Sequence, residues 1–507
     1  MTTIGKTGTR LVQPQPRVES SGRADTAKPE VKAQTQDNTV RNAVAERFRD
    51  GFDAAPRGAA PQRQRLLGES GAHTHGPGHA HAHGAEGAAK AGAKAGLAVG
   101  SGPTVTTEKS GRTVVDLGTG SNNATVSQTK DGGLSITSDG KTVTLTAAQA
   151  KNAVINGGDG NDTITVDASV KNGVRIDGGK GDDKLTGGVG NDTLAGGEGN
   201  DVVIGGKGND TLRGAAGDDY LEGGAGDDAV SGGDGRDVMY GLDGKDRMSG
   251  GAGRDYMDGG RGDDNVNGGD GDDQVMGGRG NDTLQGGKGN DAVAGGLGTD
   301  TVDGGEGSDK LYTQKDDKVT VGKGDKRTNV DLKDYDKLGS SISVSGSDEF
   351  KARVESDLDA MRSLPIGQDL LRRADGSGKK TDIRETSGGN SAGGTNFSDG
   401  FQSVDGKPGK GSDAYVNYNT TRISLGGEEW MNRPPVVGLF HELVHTSDIN
   451  TGTLAPGQTD GTNNLENSAV GLPFDHDGDP KTPKITQDRP AENDLRDQLN
   501  LPTRPRY

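Results

Sequence analysis

"GGKGDDKLTGGVGNDTLAGGEGNDVVIGGKGNDTLR" (residues 178–213) is one nine-residue phrase written four times, and the phrase decides the fold. Aspartate recurs every nine residues from Asp183 to Asp309, and two positions after each comes an apolar side chain, from Leu185 to Leu311. One apolar residue in nine cannot be buried by a single copy, so the copies must stack on each other as a solenoid. The "GGxGxD" half suits a turn and the "xUx" half a very short strand. Two nonapeptides then close one coil of a parallel β-roll with its apolar residues inside. An earlier copy, "GGDGNDTIT" (157–165), precedes an insertion of about a dozen residues, so the roll is read over 157–311.

Stacked coils line their aspartates up in two rows, which repel unless a cation sits between them. Calcium takes six to eight oxygens, and a carboxylate from each turn plus glycine carbonyls supply them. The calcium candidates are Asp162, Asp183, Asp192, Asp201, Asp210, Asp219, Asp228, Asp264, Asp273, Asp282, Asp291, Asp300 and Asp309. Arg236, Lys245 and Arg254 stand just before their aspartates where other copies have Asn or Asp, so those three sites are expected to hold calcium more weakly. The pattern resembles the repeats-in-toxin (RTX) calcium-binding nonapeptide repeats.

Around the roll the composition changes. Residues 1–102 are rich in Pro, Gly, Ala, Gln and charge, and read as a disordered leader. "VRNAVAERFRDGF" (40–52) is a candidate transient helix there, and His73, His75, His79, His81 and His83 form a low-complexity tract with weak affinity for divalent metals. Residues 103–156 hold the alternating runs "TVVDLG", "ATVSQT", "LSITSD" and "KTVTLT", a short β-rich cap. Residues 312–346 read as a linker that closes the roll. From 347 to 507 the composition is ordinary. Helical spacing of Phe350, Val354, Leu358 and Met361 predicts a helix over 348–363, "GQDLLRRA" a second, and "KTDIRET" and "AYVNYNTTRISL" strands, making an α+β, zincin-like domain.

In that domain "VVGLFHELVHTSD" (436–448) follows "RPP" and predicts a helix with an apolar stripe. His441 and His445 are then one turn apart on one face, able to reach one ion, with Glu442 beside them as general base. Imidazoles without thiolate favour one catalytic zinc; two hydrogen-bonded core histidines are the plainer alternative. A third ligand is needed. Glu466, in the helix-forming "NNLENSAVGL" (463–472), leads, and His476, Asp448 and Glu492 stay open. "DHDGD" reads as a polar turn, because it lacks the distal glutamate of an EF-hand.

From about 348 onward the chain resembles the zinc metallopeptidases of bacterial type III effector type, the NleD-like family. The matching pieces, in order, are "VESDLDAMRSLPIGQDLL", "LFHELVHTSDINTG", "NNLENSAVGLP" and "AENDLRDQLNLPTRPRY". The resemblance implies a zinc endopeptidase with Glu466 as third ligand. At the extreme end, Arg504, Arg506 and Tyr507 offer cations and a phenol for an oxyanion or for docking the chain end.

Composition limits the rest. A net charge of −18 argues against nucleic acid and anionic membranes and suits cation binding. No cysteine is present, so thiolate sites and disulfides are excluded, and no apolar run of about eighteen residues could span a membrane. The N-terminus lacks the apolar core of a Sec signal, which predicts a specialised route for a secreted bacterial protein. The expected function is that of a secreted, monomeric, calcium-binding zinc metalloendopeptidase acting on protein or peptide substrates. The alternative is a calcium-binding surface or adhesion protein whose zincin-like domain no longer cuts; self-processing is a third reading.

Overall fold

The computed structural model describes residues 102–400, 402, 407–421, 433–454, 458–459, 462–472 and 490–505. The leader with its histidine tract and candidate helix, the distal part of "AYVNYNTTRISL", His476, "DHDGD", Arg506 and Tyr507 lie outside the described residues.

The nonapeptides form a parallel β-solenoid. Odd and even copies fall into two sheets, of twelve and thirteen strands, and each strand pairs in parallel with the one eighteen residues away, as Leu194 with Leu212 and Val203 with Leu221. Between the sheets runs one continuous apolar core from Val115 to Leu311, with its leucines, valines and methionines almost wholly buried. Each row aspartate caps the coil before it: the Asp183 amide donates to Asp201 Oδ1 at 2.8 Å, and the Asp201 amide to Asp219 Oδ1 at 2.8 Å.

The same ladder carries the solenoid past both ends of the nonapeptides. The Asn122 amide donates to Asp162 Oδ1, so strands Thr113–Asp116 and Asn123–Gln128 start the two sheets, with antiparallel partners on each. A single helical turn, α1 (Ala147–Ala150), follows that cap. At the other end Asp317 and Asp325 accept from the amides of Asp300 and Asp309, and strands Lys318–Thr320 and Lys326–Asn329 extend the sheets beyond residue 311. Their spacings, seventeen and sixteen residues, break the period while keeping the hydrogen bonds.

The C-terminal domain is built on a four-stranded sheet in the order Ile342–Ser345, Thr381–Glu385, Ala414–Tyr418, Ser391–Gly394. The first three strands are parallel and the last antiparallel. The crossover between the first two carries α2 (Asp348–Arg362), capped by the Ser347 hydroxyl, and α3 (Pro365–Gly376), with proline in its first turn. Helix α4 (Pro435–Thr451) lies against the sheet and against α2, α3, α5 (Asn464–Val470) and α6 (Glu492–Gln498). The expected one-sided stripe understates α4. Every residue from Pro435 to Asn450 is buried, polar ones included, so it is a central helix, and Gly452 ends it in the left-handed region (φ +72°). Among the described residues, no helix is long and apolar enough to cross a membrane.

The roll is joined to this domain along one face. On the thirteen-stranded sheet the outward side chains Tyr220, Tyr240, Tyr256, Met276, Ala294 and Tyr312 are buried in a single cluster with α2, α4 and α6. The equivalent positions on the other sheet, such as Arg213, Ser231, Arg247 and Gln285, are exposed. At the centre of the dock Arg353 of α2, wholly buried, lies 2.9 Å from Asp357 and 3.1 Å from the Tyr240 ring centroid. At the rim Arg279 of the roll meets Asp359 at 2.6 Å.

Asp258, facing Arg353, Ser356 and Asp357, is 1% exposed, and burial pushes its carboxyl up to about 8. Arg353 opposes that rise, and the Asp357 charge adds to it. An acid whose folded value lies above its unfolded value near ~4 stabilises while protonated, and that contribution is lost as pH rises from there through about 8. In saturating calcium, the thermal midpoint of the wild type should therefore fall more steeply between roughly pH 4 and 8 than that of Asp258→Asn. Glu222, Glu349, Glu355, Asp357, Asp359 and Asp336 are among the other acids at this face, and parallel curves for the two proteins would remove Asp258 as the source.

Candidate metal centre

On α4 the residues one turn apart bring their rings together. His441 and His445 stack edge to face at 4.7 Å, with their Nε2 atoms 3.1 Å apart. From α5, Glu466 places Oε2 at 3.6 Å from His441 Nε2 and 3.5 Å from His445 Nε2. All three are buried, with ligand atoms within 4.8 Å of one another, and no other such group of three occurs among the described residues. Two imidazole nitrogens and one carboxylate oxygen are a zinc donor set. A tetrahedral ion bonded at about 2.1 Å wants its donors about 3.4 Å apart, close to the separations seen here. Zinc therefore fits the donors and their spacing.

The alternatives for the third position go elsewhere. Asp448 lies at the far end of α4, where its Oδ1 accepts from the Thr453 hydroxyl at 3.0 Å and faces Arg373 at 3.6 Å. Glu492 approaches from behind, with Oε2 2.9 Å from His441 Nδ1, the nitrogen turned away from the cluster. Burial would raise the Glu492 carboxyl, but Arg496, the His441 imidazole, Arg504 and Arg433 together hold it well below the usual range. Its Oε1 accepts from Arg496 Nε at 2.6 Å, and Arg504 and Arg433 reach Oε2 at 3.3 and 3.5 Å. A carboxylate that takes the proton of a ligating imidazole fixes its tautomer and raises its basicity. The sequence contains this residue only as one alternative among several, with no spacing rule linking it to His441.

Within the cluster the charges pair with one another. Burial lowers the His441 imidazole, yet Glu466 and Glu492 outweigh it and raise it to about 9. Glu466 is held down to about 2: burial opposes this, and His445 and His441 prevail. Glu442, the residue after His441, is wholly buried on the same helix.

The aspartate rows offer oxygen donors. While Oδ1 of each row residue is used by the ladder, Oδ2 of Asp201, Asp210, Asp219, Asp291 and eleven others along the rows is buried without a hydrogen-bond partner; at Asp192, Oδ2 accepts from the Gly188 amide at 2.7 Å. At Gly205 a Cβ would meet Asp210 Oδ2 at 2.5 Å and the Gly223 carbonyl oxygen at 2.5 Å. A carboxylate and a carbonyl from the next coil thus face one small space that only glycine leaves open. Burial raises most of the row carboxyls to between about 6 and 8, and neighbouring aspartate charges add to the rise. The hard oxygen donors fit calcium.

The three departing copies use their cations on the outer ladder. Arg236 pairs with Asp218 at 3.5 Å, Lys245 with Asp263 at 2.6 Å and Arg254 with Asp272 at 3.6 Å, each one coil away. Asp237, Asp246 and Asp255 behind them keep a buried, unpartnered Oδ2 like most of the row.

Comparison with known families agrees with this division. Residues 150–168, 175–203, 204–239, 240–275 and 276–311 match the RTX calcium-binding nonapeptide repeat, and residues 339–507 match Peptidase_M91, described as "Effector protein". No curated protein matches the chain. These matches suggest a peptidase effector that acts on protein and binds calcium. The chain therefore joins a run of RTX calcium-binding repeats to a domain that matches the Peptidase_M91 effectors.

Proposed function

We propose that this is a secreted bacterial zinc endopeptidase whose roll binds calcium. The observation that carries the reading is the convergence of His441, His445 and Glu466 around one zinc-sized space. When bound there, zinc would supply a Lewis acid for water and for the peptide carbonyl. His441 and His445 hold the ion through Nε2 and Glu466 through Oε2. Glu442 takes the proton from the attacking water and returns it to the leaving amine. Glu492 keeps the Nδ1 proton of His441 in place, so that its other nitrogen is free to ligate. The calcium candidates named from the sequence, with Asp237, Asp246 and Asp255 added, would hold calcium and so neutralise their rows, with Oδ2 as the available donor except at Asp192, where it accepts from the Gly188 amide.

Metal analysis of the full chain, joined to a proteolysis screen, tests the reading. One zinc per chain, lost together with peptide cleavage in His445→Ala, is expected. A chain that takes up no zinc, or cleaves as well without it, is not this enzyme. Zinc uptake with no cleavage of any substrate would instead favour the calcium-binding surface protein.

A further inference from the structure

Helix α6 touches both metal systems. At its first residue, Glu492 sits 2.9 Å from His441 Nδ1. At its other end, the Tyr312 hydroxyl donates to the Gln498 carbonyl at 3.1 Å and Lys310 to the Asp497 carbonyl. Just beyond, Asn500 Nδ2 donates to the carbonyls of both Asn290 and Asp291 at 3.0 Å. Asp291 is a row aspartate, with a buried, unpartnered Oδ2 and its amide on Asp309 Oδ1 at 2.9 Å. Asn500 sits in the left-handed region (φ +54°), a strained conformation whose gain here is the pair of bonds to the calcium turn.

The piece between these ends is stiff. Leu495, Leu499 and Leu501 are buried, the Leu501 amide returns to the Arg496 carbonyl at 2.8 Å, and Asn493 holds the Arg504 amide at 2.7 Å. Seven helical residues span only about 10 Å, so the strut is short.

We infer that calcium at the Asp291 turn and zinc at His441, His445 and Glu466 bind cooperatively, coupled through Asn500 and α6 to the positioning residue Glu492. This rests on the metal-centre reading above. With the row neutralised, the turn is ordered and its carbonyls hold Asn500; α6 is then fixed, and Glu492 fixes the His441 tautomer. With the row uncompensated, the turn loosens, α6 loses one anchor and the imidazole loses its orienting partner. Loss of such a partner typically lowers metal affinity about 10–100-fold. Linkage requires the effect to be reciprocal, so zinc must tighten calcium by the same factor.

The experiment uses the full chain stripped of metal, with zinc titrated against a chromophoric chelator in calcium-free buffer and in saturating calcium. Roll folding is followed in parallel by circular dichroism. Wild type should bind zinc at least about 10-fold more tightly in calcium. Asn500→Gly keeps the left-handed backbone and deletes both bonds; its factor should fall toward one while calcium-induced roll folding is unchanged. Tyr312→Phe, a milder cut at the same anchor, should fall between. Equal zinc affinity with and without calcium, while the roll folds, overturns the coupling. So does a full factor in Asn500→Gly. No zinc uptake in either buffer overturns the metal-centre reading, and this inference with it.

Discussion

Glu442→Gln should leave zinc bound and lower peptide hydrolysis by about 10³-fold. The side chain is wholly buried on α4 next to His441, and an isosteric amide fits the same space without opening a cavity. What it removes is the carboxylate that accepts a proton. His441, His445 and Glu466 are untouched, so zinc content and thermal midpoint should match those of the wild type. The check is zinc per chain by metal analysis alongside turnover of a peptide library. Retained turnover would show that another group carries the proton and would end the assignment of Glu442. Loss of zinc along with turnover would instead make Glu442 part of the metal's support.

Arg353→Ala should cost about 3–5 kcal/mol of stability, the largest loss expected from a side chain outside the metal site. The guanidinium has no solvent exposure, and its Nε lies 3.3 Å from the Tyr220 hydroxyl. Without it, Asp357 and Asp258 stay buried with no cation between them, and Glu222 loses the nearest positive charge. Denaturant unfolding in saturating calcium reads the loss. The C-terminal domain should melt first, because the roll's internal core does not include Arg353. Replacing Arg353 and Asp357 together by apolar residues of similar size should recover most of the deficit, since breaking a buried pair costs more than deleting it. A single variant within about 0.5 kcal/mol of the wild type would mean that the dock is not held by this pair.

How much of this could be read from the letters depended on the period being read. Nine residues, with Asp and an apolar residue at fixed offsets, dictate a solenoid, and both core and ladder follow. The docking face was missed because a coil contains two nonapeptides, so a face is written at period eighteen. Tyr220, Tyr240, Tyr256, Met276 and Tyr312 all fall in alternate copies, while intervening copies carry Thr211, Arg213, Ser231 and Arg247. The roll holds four of the chain's eight tyrosines, and all four are on that sheet. Leu242 was a further sign. It occupies a glycine position at φ +76°, a conformation that costs about 1–2 kcal/mol, and it is buried in the interface cluster. The two histidines were legible because helix geometry fixes their spacing. Glu492 was not, because only tertiary packing brings it behind His441.

The one-sided dock also determines which repeats this protein can gain or lose. The cluster that joins roll and domain begins at Val202 and Tyr220, so adding or removing eighteen residues ahead of it changes the length of the roll without shifting that cluster's register. Between Tyr220 and Tyr312 the same change would displace everything on one side of it by one strand spacing, about 4.8 Å, relative to α2 and α6. Tyr240 would slide off Arg353, or Asn290 away from Asn500. The upstream copies are a tract of adjustable length; the downstream ones are a ruler whose marks are read by another domain.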